Sequence, residues 1–278
     1  AMGYDTKELS WTFVTVCALV YEKASIINPD QAGLHGLAGS LAKEMPHWRV
    51  RLCDLEDGDL NQVVSELEAL PYDPKGNSWL YRKGQWFRQK CIEVADFTDN
   101  ANSNFAYRKE GVYVVIGGAG GIGEVWTEYV ITHYKAQVVW IGRSKINAHI
   151  AEKLDRMEMY GNRPQYISAD AADITELRCA YEKIKADYGN IHGVIHSAIT
   201  LNDKSLIRID EEDFFGGLIS KVDVSVCMAQ VFGADVSLDF MLFFSSLQSF
   251  SKPAGQSSYV AGCSFGDSFA AYARSFIH

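Results

Sequence analysis

The stretch Gly111-Val-Tyr-Val-Val-Ile-Gly117-Gly-Ala-Gly-Gly-Ile-Gly123 decides how the rest of the chain is read. Val112 to Ile116 is a short apolar run rich in β-branched residues, the pattern of a strand buried on both faces of a parallel sheet. The glycines that follow turn the chain sharply toward a helix. Gly117, Gly121 and Gly123 keep a Gly-x-x-x-Gly-x-Gly spacing, a wider relative of Gly-x-Gly-x-x-Gly. Lacking Cβ atoms, they let the backbone approach a pyrophosphate and aim a helix N-terminus at it, where free N–H groups and the helix dipole favour an anion. Such a cluster alone also suits a plain strand-to-helix turn. The strand before it, the helix after it and residues downstream favour dinucleotide binding, with Gly117, Gly118, Gly120, Gly121, Ile122 and Gly123 as contact candidates.

Downstream, apolar strands and helices alternate. Gln137 to Ile141 is the next strand and ends in Gly142-Arg143-Ser144. Arg143 stands twenty residues beyond Gly123, where NAD-selective folds place an acid on the ribose 2′-hydroxyl. A basic residue there, with Ser144 beside it, favours a 2′-phosphate and so NADPH; the plainer reading is a solvated arginine at a strand end. Gln165 to Ala169 is a third strand, ending at Asp170, a position suited to an adenine amine. Asp173 to Tyr188 reads as a helix, and Gly193 to Ile195 as a fourth strand running into His196-Ser197-Ala198. Small residues there would let a second ribose lie against the backbone at Ser197, while His196 reads as a core histidine. The ends at Gly117, Gly142, Asp170 and Ser197 are expected along one edge of a parallel sheet, where doubly wound folds bind ligands. A helix from 210 to about 231 opens at Asp210-Glu211-Glu212 and carries Lys221 in its middle. Phe240 to Phe244 is a fifth buried strand that delivers Ser245-Ser246. Tyr259 follows thirteen residues after Ser246, near the start of the last helix.

The first half is α/β in character without a glycine-rich phosphate turn. Trp11 to Tyr21 and Trp48 to Cys53 read as strands, and Asp59 to Leu70 as an amphipathic helix. Asn28-Pro29-Asp30 starts another helix with a cap, a proline and an acid, and that helix runs to about Glu44. Its Gly33, Gly36 and Gly39 suit close packing against a neighbouring backbone. Ser78 to Val94, broken at Lys83-Gly84, is a hairpin candidate. The polar stretch Asp96 to Asn104 is the best linker. Two domains follow: residues 1–107, structural and without a cofactor site, and 108–278, binding the cofactor.

Composition bounds the function. Hydrophobic residues make up 47% and charged residues 22% of the 278 positions, as in ordinary globular proteins. A formal charge of -9, without a basic cluster, argues against nucleic acid or an anionic membrane as the main partner. Six scattered cysteines without a Cys-x-x-Cys pair read as reduced core thiols of a cytoplasmic protein, with no zinc or other metal framework. No signal peptide is evident, and Trp11 to Val20 is too short to span a bilayer. Ala1-Met2-Gly3 has the look of a cloning remnant, so the chain is expected to be a piece of a longer one.

The glycine turn, the strand ending in Ser-Ser and the thirteen-residue gap to tyrosine together resemble the short-chain dehydrogenase/reductase superfamily. Most of its members carry a lysine four residues after the tyrosine; Cys263 stands there, and Lys221 lies upstream in Ser-Lys-Val-Asp. That exchange resembles the ketoreductase domains of modular polyketide synthases. Asn28-Pro29, the glycine-bearing helix, Cys53-Asp54-Leu55 and Tyr81-Arg82 resemble the same family's truncated Rossmann-like structural subdomain. The resemblance therefore covers nearly the whole chain and implies a doubly wound Rossmann fold in the second half.

Carried over by position, the resemblance implies Tyr259 as proton donor, Ser246 as the hydroxyl on the substrate carbonyl and Lys221 as the supporting ammonium. Taken singly, a packed aromatic and a surface lysine would be the plain readings. The implied reaction is NADPH-dependent reduction of a β-ketoacyl group carried on an acyl carrier protein, beside other domains of a synthase. Tyr-x-Ala-Gly-Cys resembles the trans-acyltransferase branch, with Cys263 where asparagine is frequent; Ile116 replaces a frequent threonine. Leu201-Asn202-Asp203 resembles the Leu-Asp-Asp signature of B-type domains, and Ser251 is not the tryptophan of A-type ones, so a D-hydroxyl product is implied, with Asp203 governing substrate entry. Family members continue past the tyrosine helix, whereas this sequence stops at His278; a C-terminally shortened catalytic domain is expected. A reductase of small free ketones and a non-catalytic scaffold are the alternatives.

Overall fold

The computed structural model describes residues 7–22, 25–58, 60–93 and 107–275. The linker expected at Asp96 to Asn104 and the Ala1-Met2-Gly3 start lie outside the described residues. What is described forms two compact units. The first gathers residues 7–93 with Thr200–Val222 and Ser245–Ser275; the second gathers 107–199 with Asp223–Phe244.

In the first unit, β1 (Ser10–Val16), β2 (Arg49–Leu55), β3 (Ser78–Arg82) and β4 (Gln85–Arg88) form a sheet in that order. The first three are parallel, and β4 returns antiparallel through the tight turn at Lys83-Gly84. Strand β1 is shorter than its apolar run suggests. Cys17 turns to φ +53°, and the Asp54 carboxylate takes the Ala18 and Leu19 N–H groups at 2.8 and 3.0 Å, pulling the chain off the sheet. Asp54 also accepts from Thr15 Oγ1 at 2.5 Å and pairs with the Arg82 guanidinium, so this buried carboxylate is compensated on every side. The hairpin ends at Arg88, earlier than expected.

Helix α1 (Ala32–Glu44) follows a single 3₁₀ turn at Pro29–Gln31, where the Asn28 side chain accepts from Asp30 N. Helix α2 (Leu60–Ala69) matches its expected span. Ala38 and Ala42 of α1 pack on Val50 and Leu52.

The second unit is built on a five-stranded, all-parallel sheet in the order β7-β6-β5-β8-β9: Gln165–Ser168, Gln137–Gly142, Val112–Ile116, Gly193–His196 and Phe240–Phe243. The order reverses at β5, which is the doubly wound arrangement expected. All five residues of β5 are buried, its side chains alternating between two apolar cores. Val114 and Ile116 join Leu177, Ile184, Met228 and Phe232; Tyr113 and Val115 join Trp140, Val130, Ile131 and Leu154.

Helices α3 (Gly121–Tyr134), α4 (Ala148–Glu158) and α5 (Ile174–Tyr188) alternate with the strands. Asn147 caps α4 through Ile150 N, and Asp173 caps α5 through Thr175 N and Glu176 N. The helix expected from 210 to 231 is two: α6 (Glu211–Ile219), capped by Asp210 on Asp213 N, and α7 (Val222–Phe232). Its mean apolarity would pass for a membrane span by length, yet half of it is buried and it breaks at Ser220-Lys221. Lys221 therefore sits at a break, not in mid-helix. A short α8 (Gln248–Ser251) follows the serine pair, and α9 (Ser257–Ala273) carries Tyr259 in its first turn.

Candidate active site

The glycine turn in the second unit is a shaped backbone cradle. Gly117 has φ +82°, and a Cβ there would lie 2.7 Å from Ala198 N, so both conformation and space require glycine. A Cβ on Gly123 would meet Gly118 Cα and O at 2.7 Å, so α3 starts tightly against the turn that feeds it. Gly120 is the N-cap of α3 without a side chain to satisfy the first N–H groups, and the place a Cβ would take on Gly121 is open. Free N–H groups at a helix start, facing open space, fit a dinucleotide pyrophosphate. Ile122 is exposed beside them. Lys153 braces the turn by donating to Ala119 O at 2.6 Å while pairing with Glu124.

The sheet register sets the other candidates in a row. Ile116 pairs with Ile141 on one side and His196 on the other, and Gly142 pairs with Ser168, so Gly117, Arg143, Asp170 and Ser197 all follow strand C-terminal ends. Arg143 and Ser144 are exposed; Ser144 O accepts from Tyr166 OH at 2.7 Å. Asp170 Oδ1 accepts from Ala172 N at 3.0 Å. The Ser197 hydroxyl is buried and donates to Ile116 O at 2.9 Å, tying β8 to β5. His196 is buried, as a core histidine would be.

The other candidates lie in the first unit, and there they converge. Tyr259, 9% exposed, has its hydroxyl beside Ser246 and the thiol of Cys263, one turn along α9, near enough that both act on its ionisation. Burial first, then Cys263, push its ionisation up to about 12, and the Ser246 hydrogen bond opposes them. Ser246 itself is fixed by a turn in which its Oγ accepts from Gln248 N at 3.2 Å and its O from Ser249 N at 3.0 Å. Cys263 is buried and its thiol raised by that burial; hydrogen bonding to Tyr259 and the nearby Lys221 charge pull the other way.

Lys221 is 6% exposed, with its ammonium lowered by desolvation and supported by Cys263 and Asp267. Its place is set by glycine: a Cβ on Gly262 of α9 would lie 2.9 Å from Lys221 Cβ. The lysine charge is thus registered at Cys263 and Asp267, an arrangement the sequence did not suggest. Asp267 continues the stripe Tyr259, Cys263, Asp267 along one face of α9, and its carboxyl is raised by desolvation against hydrogen bonds from Ser245 and Ser249. A search at four-residue spacing from Tyr259 would have found it. Asp203 is exposed, and its Oδ2 accepts from Gln256 Nε2 at 2.8 Å.

A doubly wound nucleotide fold with a serine, a tyrosine and a buried lysine converging on a last helix defines a reductase-like class. The chain belongs to the KR domain family, which matches residues 111–276. It is 51% identical over 270 residues to polyketide synthase PksN of Bacillus subtilis (strain 168), covering 97% of this chain and 5% of that protein. It is 48% identical over 269 residues to polyketide synthase PksM of the same organism, again covering 97% of this chain, and 6% of PksM. The chain thus spans about a twentieth of the curated relatives it matches.

Among solved structures, a ketoreductase domain from the bacillaene assembly line superposes with a TM-score of 0.75 at 26% identity, over 96% of this chain and 61% of that one. An A1-type ketoreductase gives 0.83 at 23% identity over 95% and 56%, a likeness of fold alone.

Proposed function

We propose that this chain is the ketoreductase domain of a trans-acyltransferase polyketide synthase, reducing a β-ketoacyl thioester on an acyl carrier protein to the D-configured β-hydroxyacyl thioester with NADPH. The observation that carries the reading is that Tyr259 stands beside Ser246, with the buried Lys221 packed against the same helix, in a chain of the KR family. Likeness to two polyketide synthases over nearly its whole length supports a cytoplasmic setting among other synthase domains. By sequence, residues 108–278 bind the cofactor and 1–107 do not.

When bound, NADPH supplies the hydride. The chain's own groups do the rest. The N–H groups at Gly121 and Ile122 hold the pyrophosphate, Arg143 and Ser144 the 2′-phosphate, and Asp170 the adenine amine. The hydroxyls of Ser246 and Tyr259 both donate to the substrate carbonyl oxygen, where negative charge grows. Tyr259 stays a phenol across the neutral range because its ionisation lies near 12, so its proton is in place to pass to that oxygen. Lys221 provides the positive charge that offsets the phenolate as it forms. Cys263 stands beside Tyr259 and acts on its ionisation where the family often has asparagine. Asp203 governs entry of the acyl group and thereby the face of the carbonyl that reacts.

The test is NADPH oxidation with a β-ketoacyl thioester surrogate, followed by chiral analysis of the alcohol. Tyr259→Phe should lower kcat on the order of 100-fold or more, the scale of general acid catalysis. An L-alcohol would leave the reductase and remove the B-type assignment. No turnover in the parent chain, also absent after the chain is lengthened past His278, would leave a nucleotide-fold scaffold as the better account.

A further inference from the structure

Helix α1 lies in the half of the sequence to which no cofactor contact is assigned, yet its last turns are fitted to the segment that leads into α9. Lys43 Nζ donates to Ser251 O, and Ser40 Oγ donates to Pro253 O at 2.9 Å. Glu44, the last residue of α1, does something its neighbours do not: its two oxygens hold two different loops. Oε1 accepts from Gly255 N at 3.0 Å and Oε2 from Leu206 N at 2.7 Å. The same loops are joined a second time, by Gln256 Nε2 on Asp203 Oδ2 at 2.8 Å. One loop carries Asp203; the other runs directly into the helix turn that holds Tyr259.

The residue type matters. A carboxylate offers an acceptor on each oxygen, so it can take backbone N–H groups arriving from two directions. Glutamine has one acceptor and would set its own N–H₂ against the second donor, and aspartate is one methylene short. Bonds from backbone N–H to a carboxylate are charge-assisted and stronger than those between neutral groups. Loops held by few apolar contacts open at little cost, and a shared carboxylate makes the opening of either loop expose both. Leu201 and Ile207, on the Asp203 loop, are 54% and 64% exposed, large apolar side chains suited to an acyl chain.

We propose that Glu44 is a specificity-determining positioning residue: it locks the Asp203–Leu206 loop to the Gly255–Gln256 turn and so fixes the direction from which the ketoacyl group reaches Ser246 and Tyr259. The inference rests on the reductase reading above. Glu44 acts through these loops, not on the reacting atoms, so its loss should register in KM and in product stereochemistry before kcat.

The experiment compares the parent chain with Glu44→Ala and the near-isosteric Glu44→Gln, using the β-ketoacyl thioester surrogate and amide hydrogen exchange. Glu44→Ala should raise KM and lower the D:L product ratio each on the order of tenfold, the scale of a lost charge-assisted hydrogen bond, with kcat within about threefold. Glu44→Gln, keeping one acceptor, should fall between. The amides of Leu206 and Gly255 should exchange faster together in both variants. Unchanged KM, product ratio and exchange in Glu44→Ala, beside an active parent, would overturn the inference and leave the reductase reading standing. Equal losses of kcat and kcat/KM with both loops still protected would also overturn it. A parent chain inactive also after it is lengthened past His278 would overturn the reductase reading, and the specificity role with it, while the exchange data would still show whether the brace exists.

Discussion

Gly36→Ala tests whether α1 sets the position of the tyrosine helix. A methyl group on Gly36 would stand 2.5 Å from Val260 O and 2.7 Å from both Val260 C and Ala261 N. All three are backbone atoms of the first two turns of α9, so no rotamer change relieves the contact. The helices must part by about 1 Å, enough to forfeit a quarter to a half of the dispersion between their facing atoms. Overpacking of this kind costs roughly 1–3 kcal/mol, against about 1 kcal/mol gained by replacing a helical glycine with alanine. A net loss of roughly 0–2 kcal/mol should lower the urea midpoint by up to about half a molar to one molar.

The larger effect falls on turnover. Tyr259 precedes Val260, and a displacement of about 1 Å in a catalytic group costs on the order of 100-fold in rate. Gly33→Ala is the control, because its Cβ would lie 3.4 Å from Ala261 O, an ordinary contact. Urea titration followed by circular dichroism and kcat with the thioester surrogate should therefore separate the two variants. A Gly36→Ala protein with the parent's midpoint and kcat, or a Gly33→Ala protein equally impaired, would refute the reasoning.

Three further outcomes are expected. Arg143→Glu should raise KM for NADPH while sparing NADH, moving the preference by on the order of 100-fold if the guanidinium meets a 2′-phosphate, as paired kinetics will show. In Cys263→Ala the phenol of Tyr259 should ionise below the present value of about 12 yet above 10.0, since burial, the larger cause, remains; phenolate absorbance read against Tyr259→Phe measures it. Burial lowers the Lys252 ammonium from 10.5 to about 7, so between those values the unfolded chain binds the extra proton and stability must rise with pH. Lys252→Met should flatten that rise in denaturant titrations run from pH 6 to 10.5.

The parts of the molecule legible in the sequence are those in which cause and effect are neighbours. β5 and the glycine turn occupy one short run, and the demands of burial, positive φ and close approach at Gly117 and Gly123 are written there in residue type. The caps at Asn147, Asp173 and Asp210 are local too, though Asn147 went unread. The break between α6 and α7 was not legible, because Ser220-Lys221 carries no proline and the helical pattern resumes at Val222. What ends α6 is distant: a Cβ on Gly217 would meet Ser258 Oγ at 2.6 Å, and Lys221 must fit against Gly262. Glu44 was equally hidden, its two partners lying 162 and 211 residues away. Asp267 could have been found from periodicity, since it repeats the spacing from Tyr259 to Cys263.

These contacts also explain why the proposed catalytic set belongs to the unit that contains α1. Within it, α9 meets α1 at Gly36 and meets the end of α6 at Gly217, with Gly262 against Lys221. At each of these points a missing Cβ brings main chain or a stem carbon into direct contact, where side-chain packing would leave room to adjust. Packing of that kind tolerates displacements of only tenths of an ångström before atoms collide, so Tyr259 and Lys221 are set against each other by backbone and not by flexible side chains. A first half that supplied only solubility or bulk would have no reason to approach the tyrosine helix so closely. It follows that substitutions at Gly36, Gly217 and Gly262 should depress kcat more steeply than their effect on folding predicts. Substitutions of equal size in the Ala38 and Ala42 core of α1 should instead lower stability and leave the surviving folded fraction fully active.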